Sequence, residues 1–229
     1  MQQLLLDLGP PPAPTLDNFV VGANAAVLAS LRAAAAGNGE RQIHLWGPPG
    51  SGRSHLLRAL AARPTGRYHA CGSAPLPAFD PAATLWCLDD VERCDAAEQV
   101  RLFSLINAVR DQGQATLITS AAAPPLHLLL DTAREDLRTR LGWGPVFRVA
   151  PLTDDEKLAA LEHHARSRGL DLAPEVGRYL ITRFARDLPS LLQWIERLDS
   201  YALRQHRQVT LPLIRDYLRE AGAALRTPA

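Results

Sequence analysis

Short, nearly continuous apolar runs alternate with longer stretches of helical periodicity up to residue 150. The apolar runs have the length and composition of strands that are buried on both faces of a sheet. They cover residues 43–46, 68–71, 84–88, 115–119 and 146–149, and helices are predicted over 23–36, 55–62, 95–111 and 135–141. Because strands and helices alternate, we predict an α/β fold with a parallel sheet flanked by helices.

The pattern changes after Ala150, beyond which no strand is predicted. Thr153 and Glu156 form a capping-box signature, which opens a helix that ends near Arg168. Further helices are predicted over 174–185, 188–204 and 212–221. We therefore predict three parts: a tail with a proline-rich spacer over 1–14, an α/β domain over 15–150, and a small all-helical domain over 151–229.

A short apolar peptide precedes the first domain. It runs Gln3-Leu4-Leu5-Leu6-Asp7-Leu8, and prolines follow it at positions 10, 11, 12 and 14. A proline-rich segment continues neither a helix nor a strand, so it acts as a stiff spacer. Because the spacer would hold these leucines away from the folded domains, we predict that they bind an apolar surface of a partner protein. The alternative is that the tail packs back onto its own domain.

The segment Gly47-Pro48-Pro49-Gly50-Ser51-Gly52-Arg53-Ser54 fits the phosphate-loop pattern G-x-x-x-x-G-K-[ST], except that Arg53 replaces the lysine. The glycines let backbone N–H groups point at phosphate oxygens, the following helix adds its dipole, and Ser54 can bind Mg²⁺. A Gly/Pro-rich surface turn is the alternative, but the flanking strand and helix favour a nucleotide site. Because arginine is a broad planar fork, we expect nucleotide binding with weak intrinsic hydrolysis.

Two acidic residues, Asp89 and Asp90, end the apolar run at 84–88. One carboxylate there can hold Mg²⁺ through water, and the second can orient an attacking water. The alternative is an ordinary acidic loop. Ser120 ends the next strand, but three alanines follow it, so we assign it no phosphate-sensing role.

Arg138 and Arg140 precede the turn Gly142-Trp143-Gly144. An arginine so far in sequence from its own phosphate loop could be presented to a neighbouring subunit, where it would stabilise charge on a transferring phosphoryl group. Composition alone favours the simpler interpretation of a surface arginine in an ion pair. Trp143 is interpreted as a packing residue.

Charge and cysteine usage narrow the class of protein. The chain has 25 basic and 24 acidic residues, so its net charge is only +1. It therefore lacks the large excess of positive charge that is typical of a nucleic-acid-binding surface. Its three cysteines lack metal-ligand spacing, which fits a reducing compartment. The N-terminus lacks a basic signal region, and no apolar run approaches the ~18 residues of a membrane span. We expect a cytoplasmic protein with no membrane association.

Taken together, these motifs resemble the AAA+ family, and within it the group formed by DnaA and its shorter relative Hda. The resemblance rests on the segment 16–22 (LDNFVVG), the phosphate loop, the segment 87–91 (CLDDV) and the segment 137–144 (LRTRLGWG). It implies an AAA+ domain followed by a helical lid. The nucleotide-binding residues that it implies are Phe19, Val20, Val21, Pro49, Gly50, Ser51, Gly52, Arg53, Ser54, His55, Asp89 and Asp90, with Mg²⁺ at Ser54 and Asp89.

The resemblance also implies partners. The tail is similar to the Q-L-x-L-x-L motif that docks on the DNA polymerase sliding clamp, through Gln3, Leu4, Leu6 and Leu8. The implied function is negative regulation of replication initiation, in which Arg140 acts as an arginine finger on ATP-bound DnaA and stimulates its hydrolysis. Arg138 is the second choice for the finger. DNA would be contacted mainly through the clamp.

Two departures from the family support weak intrinsic ATPase activity. Related proteins place a sensor arginine where this chain has Leu188-Pro189-Ser190, and DnaA has an acidic residue where this chain has Ala121. The sequence leaves open whether ADP or ATP is the working ligand. It also leaves open whether the chain forms a homodimer. Two other functions remain: a nucleotide-dependent loader or motor ATPase that acts on replication proteins, and an adaptor that uses the fold as a passive scaffold.

Overall fold

The computed structural model describes residues 13–130, 135–184 and 187–224. Ala13–Pro151 forms one compact unit, and the described residues from Leu152 onward form a second. The tail residues Gln3, Leu4, Leu6 and Leu8 lie outside the described residues, so their predicted role in clamp binding stays a prediction.

The first unit contains a five-stranded sheet that confirms the predicted α/β class. Its strands are β1 (Gln42–Trp46), β2 (Gly66–Ala70), β3 (Leu85–Asp89), β4 (Thr116–Ala121) and β5 (Val146–Arg148). Their order is β2-β3-β4-β1-β5, and every neighbouring pair is parallel. β3 and β4 are buried along their whole length, as predicted for strands covered on both faces. β4 continues to Ala121, so Ser120 lies within the strand and does not end it.

Four helices cover the sheet: α1 (Ala25–Ala35), α2 (Arg53–Ala61), α3 (Ala96–Gln112) and α4 (Glu135–Leu141). Two buried apolar clusters form the core: one includes Trp86, Leu102 and Ile106, and the other includes Leu31 and Leu57. Alternate residues of β3 contribute to different clusters, because successive side chains of a strand point to opposite faces. The sheet is therefore sandwiched between two apolar layers.

The second unit is all-helical, with α5 (Asp154–Ser167), α6 (Pro174–Arg183), α7 (Leu188–Gln205) and α8 (Leu211–Ala224). The predicted capping box opens α5: the Glu156 N–H donates to Thr153 Oγ1 at 3.2 Å, and the Thr153 N–H donates to Glu156 Oε2 at 2.7 Å. Leucine, isoleucine and aromatic side chains of all four helices form its core. Among the helices described, none is long and apolar enough to cross a membrane.

Candidate functional site

The predicted phosphate loop joins β1 to α2 and contains two glycines with positive φ. Gly50 has φ +79° and Gly52 has φ +98°, in the left-handed region that favours glycine. A Cβ at Gly52 would also lie only 2.7 Å from Phe19 Cε2. Two glycines are therefore required by the backbone, which curls into the kind of concavity whose N–H groups bind anions.

Two buried side-chain atoms of the loop fit a phosphate ligand. Ser51 Oγ and Arg53 Nη1 are inaccessible to solvent and have no hydrogen-bond partner within the described part of the chain. Buried polar atoms are normally paired, so these two donors match the oxygens that a bound phosphate group would bring. Ser54 is half-buried in the first turn of α2, beside them in sequence.

The segment before α1 contributes the residues predicted to contact the base. Phe19, Val20 and Val21 are each half-buried. The rings of Phe19 and His55 are 5.7 Å apart, and His55 Nε2 lies 2.9 Å from the Thr15 carbonyl oxygen. This segment therefore lies against the phosphate loop and the start of α2. Pro49 is exposed at the tip of the loop.

The two acidic residues have different environments. Asp89 is 3% exposed, and its Oδ2 accepts a hydrogen bond of 2.8 Å from the Tyr68 hydroxyl, while its Oδ1 accepts one from the Ser120 hydroxyl. Asp90 has φ +53°, and its Oδ1 lies 3.1 Å from Arg53 Nη2. The end of β3 and the phosphate loop are thus brought together, as the sequence predicted.

A cation at this site would depend on the nucleotide for ligands. Within the described residues, no group of three or more His, Cys, Asp and Glu side chains could hold a metal ion. The Ser54 hydroxyl and the Asp89 carboxylate are oxygen ligands of the type that Mg²⁺ prefers, and Mg²⁺ usually completes its shell with phosphate and water. The donor set therefore fits Mg²⁺ bound together with a nucleotide.

Two residues that fix Asp89 were not predicted from the sequence. Tyr68 lies on β2 and Ser120 on β4, the two strands that flank β3. Burial, reinforced by the hydrogen bond to Asp89, raises the pKa of Tyr68 to about 12, so its hydroxyl stays a donor. Ser120 also accepts the Asp90 N–H at 3.1 Å. Polar residues near the ends of neighbouring strands were the available signal, but the strand order was needed to use it.

A buried histidine supports the strand that leads into the loop. His44 lies on β1, is fully buried, and its Nδ1 is 2.8 Å from Thr119 Oγ1 on β4. The pKa of His44 is lowered to about 4, mainly by burial and to a lesser extent by the positive charge of Arg53, against a backbone hydrogen bond to Ala123 that raises it. His44 is therefore neutral near pH 7 and adds no charge beside Arg53.

Arg140 lies at the end of α4 and is held by three side chains of its own chain. Its Cζ is 4.0 Å from the ring centroid of Phe103 and 4.8 Å from that of Trp143. Its Nη1 donates a hydrogen bond to Asn107 Oδ1. Stacking on two rings and a bond to α3 orient the guanidinium, which carries five N–H donors in all.

The turn after Arg140 is attached to the amino end of β1. The Gln42 side-chain amide donates to the Arg140 carbonyl oxygen, and a Cβ at Gly144 would lie 1.8 Å from the Gln42 carbonyl oxygen. The phosphate loop follows the carboxyl end of the same strand, roughly 13 Å away at ~3.3 Å per residue. Arg140 is therefore anchored near the amino end of β1, whereas its own phosphate loop follows the carboxyl end of that strand.

Trp143 was expected to be a packing residue, and this is wrong. Its side chain is 43% exposed, and the Arg110 guanidinium lies 4.2 Å from its ring centroid, in addition to that of Arg140. An open cleft of about 390 Å³ lies beside it, lined by Glu40, Arg41, Gln42, Arg110, Trp143 and Gly144. Trp143 thus supports arginine side chains at a surface.

The second finger candidate, Arg138, is half-buried, and its Nε is a buried donor without a partner in the described residues.

Comparison with known proteins finds one family match and several solved structures of similar fold. Residues 154–218 match the family described as Hda, lid domain. The fold is similar to domain III of the replication initiation protein DnaA from Thermotoga maritima, with a TM-score of 0.69, 20% identity, and coverage of 91% of this chain and 98% of that one.

Two other solved structures are similar at comparable levels. Replication initiator DnaA bound to AMPPCP and single-stranded DNA gives a TM-score of 0.65 at 20% identity over 82% of this chain, which spans 65% of that DnaA chain. The Thermotoga maritima Holliday junction branch migration motor RuvB gives 0.64 at 17% identity, covering 90% of this chain and 71% of that one. These likenesses show the fold.

The parallel sheet and the helical second unit are the two parts of the fold that was predicted from the resemblance to AAA+ proteins, and the solved structures above share that fold. The match over residues 154–218 and the fold likeness to DnaA support, more specifically, the predicted resemblance to Hda and DnaA.

Proposed function

We propose that this chain is a nucleotide-bound negative regulator of replication initiation, which is tethered to the sliding clamp and stimulates ATP hydrolysis by DnaA. The observation that carries the proposal is the position of Arg140, which is oriented by Phe103, Asn107 and Trp143 at the edge of the sheet away from its own phosphate loop. An arginine there cannot reach a phosphate in its own loop. It is suited to a phosphate held by another subunit.

The nucleotide site supports the first half of the proposal. The positive-φ glycines, the buried Ser51 hydroxyl and the buried Arg53 Nη1 fit ADP or ATP phosphates. One Mg²⁺ ion bound with the nucleotide would neutralise phosphate charge there. The residues of this chain would bind the phosphates, hold Asp89 in place through Tyr68 and Ser120, and pack Phe19 beside the loop.

Arg140 would act in trans. When water attacks the γ-phosphorus of ATP bound to DnaA, negative charge develops on the transferring group and on the leaving ADP oxygen. A guanidinium held by stacking needs little reorganisation to donate N–H groups to those oxygens. Arginine fingers of this kind increase kcat by about 10³–10⁵-fold. Hydrolysis would leave DnaA in its ADP form and so limit initiation.

The clamp tether rests on the tail motif Gln3-Leu4-Leu5-Leu6-Asp7-Leu8. Docking on a clamp that encircles DNA would raise the local concentration of this protein near DNA-bound partners. It would also explain how a chain of net charge +1 works on DNA without a basic surface of its own.

The alternative function, a loader or motor, is consistent with the structural similarity to RuvB, but that similarity concerns the fold alone. A motor needs turnover at its own phosphate loop. The arginine in that loop and its ion pair with Asp90 argue against efficient turnover. The regulator is therefore the better supported function.

The proposal is tested by measuring ATP hydrolysis with purified DnaA, DNA-loaded clamp and this protein, omitting each component in turn. We expect rapid hydrolysis only when all three are present. Equal hydrolysis without the clamp would remove the tether from the proposal, and turnover by this protein alone would favour the motor.

A further inference from the structure

Arg53 occupies the lysine position of the phosphate loop, and the two terminal nitrogens of its guanidinium have different environments. The side chain is 9% exposed, and Nη2 lies 3.1 Å from Asp90 Oδ1 at the end of β3. The second terminal nitrogen, Nη1, is buried and has no partner in the described part of the protein. One end of the planar fork is therefore committed to a carboxylate, and the other is left as a buried donor.

Asp90 is fixed as firmly as its partner. Its backbone has φ +53°, and its N–H donates to the Ser120 hydroxyl at 3.1 Å. Its second carboxylate oxygen lies 3.9 Å from Nε of Arg93, whose side chain is 70% exposed. An exposed ion pair at this distance contributes little interaction energy. Arg53 is therefore the main partner that compensates the negative charge of Asp90.

We infer that Arg53 is a bridge: Nη1 binds a phosphate of the nucleotide while Nη2 holds Asp90, so that the chain retains its nucleotide without hydrolysing it. The inference rests on the nucleotide binding of the proposed function. A lysine ammonium is a single compact charge, whereas the arginine fork offers two separate N–H ends to two acceptors. Replacement of lysine by arginine would thus couple phosphate binding to the position of Asp90.

The coupling blocks hydrolysis through the attacking water. In hydrolysis, a water oxygen bonds to the γ-phosphorus, the bond from the γ-phosphorus to the β,γ-bridging oxygen breaks, ADP keeps that electron pair, and the water proton passes to phosphate or solvent. A carboxylate that accepts a hydrogen bond from the water orients this attack. Asp89 is held by Tyr68 and Ser120 and is the carboxylate assigned to Mg²⁺, so Asp90 is the carboxylate left to orient water, and Arg53 neutralises it.

The decisive variants are Arg53→Lys and the double variant Arg53→Lys/Asp90→Asn, with Arg93→Lys as a matched control. The control changes an arginine that also faces Asp90, but from the exposed side. Single-turnover hydrolysis is measured with ATP, Mg²⁺ and protein in excess, without DnaA. We expect no turnover above background for wild type and Arg93→Lys, at least ten-fold faster hydrolysis for Arg53→Lys, and loss of that gain in the double variant. No gain in Arg53→Lys, or a gain that persists in the double variant, would overturn the inference.

A binding measurement tests the bridge without turnover. Asp90→Asn keeps an acceptor oxygen for Nη2 but removes the negative charge that offsets the positive charge of the guanidinium beside the phosphate. Titration with a fluorescent ADP analogue should therefore show Kd lowered at least five-fold relative to wild type. An unchanged or raised Kd would overturn the bridge. If wild type itself binds no ADP, the proposed nucleotide site fails and the inference fails with it, whereas binding without these changes rejects the inference alone.

Discussion

The two glycines of the Gly142-Trp143-Gly144 turn should respond very differently to alanine. A Cβ at Gly144 would lie 1.8 Å from the Gln42 carbonyl oxygen. Real Cβ atoms essentially never come within 3.0 Å of such a neighbour, so the substitution would clash. At Gly142 the nearest atoms are 3.6 and 3.7 Å away, which is ordinary contact, and Gly142 lacks a positive φ. The same substitution therefore clashes with backbone atoms at Gly144 and makes only ordinary van der Waals contact at Gly142.

The strain at Gly144 cannot be relieved by moving β1. Gln42 pairs with Leu117 of β4, and the Leu117 N–H donates to the Arg41 carbonyl oxygen at 2.7 Å. The turn must move instead, by at least 1.2 Å, which endangers the 2.9 Å hydrogen bond from the His44 N–H to the Pro145 carbonyl oxygen. Strain and a weakened hydrogen bond together cost about 3 kcal/mol. For a chain of this size that corresponds to a fall in Tm of about 6–12 °C.

Thermal unfolding followed by circular dichroism compares the two variants directly. Gly144→Ala should unfold well below wild type, and Gly142→Ala should stay close to it or gain slightly, because alanine restricts the unfolded chain. Below its Tm, Gly144→Ala should also stimulate DnaA poorly, since the displaced turn carries Trp143 and the Gln42 contact to Arg140. Equal Tm values for the two variants would refute the steric reasoning.

Two further predictions concern stability and the tether. Burial lowers the pKa of His44 from 6.5 to about 4, so the unfolded chain takes up the proton first and stability falls by up to about 3 kcal/mol as the pH drops from 6.5 towards 4. His44→Gln should flatten this part of the pH curve of thermal unfolding, and parallel curves for wild type and His44→Gln would contradict the assignment. Replacing Leu6 and Leu8 by alanine should abolish clamp binding in surface plasmon resonance with Tm unchanged; retained clamp affinity would reject the tail motif.

The sequence was enough to predict the alternation of strands and helices, because buried parallel strands leave continuous apolar runs such as residues 84–88. It also predicted the capping box at Thr153, since the motif is local. The partners of Asp89 could not be predicted, because Tyr68 and Ser120 come together only through the strand order. Long-range neighbours of this kind leave no periodic signal.

The same limit explains the misinterpretation of Trp143. Its character depends on Arg110, which lies on α3 and reaches the ring from a different part of the chain. Composition around Trp143 shows only a glycine-flanked aromatic residue. The ion pair of Arg53 with Asp90 was likewise not predicted, because the phosphate-loop motif locates the arginine along the chain but does not show which way its guanidinium points.

The central claim is that Arg140 completes an active site on another protein. Its most direct test is single-turnover hydrolysis of ATP prebound to DnaA, with DNA-loaded clamp and either wild type, Arg140→Ala or Arg138→Ala; the control is Arg101→Ala, which removes an exposed arginine of α3. The proposal predicts that Arg140→Ala loses the stimulation, by about 10³-fold or more, while ADP and clamp binding persist and Arg101→Ala stimulates normally. Full stimulation by Arg140→Ala would contradict the claim, and its loss in Arg138→Ala alone would assign the finger to Arg138.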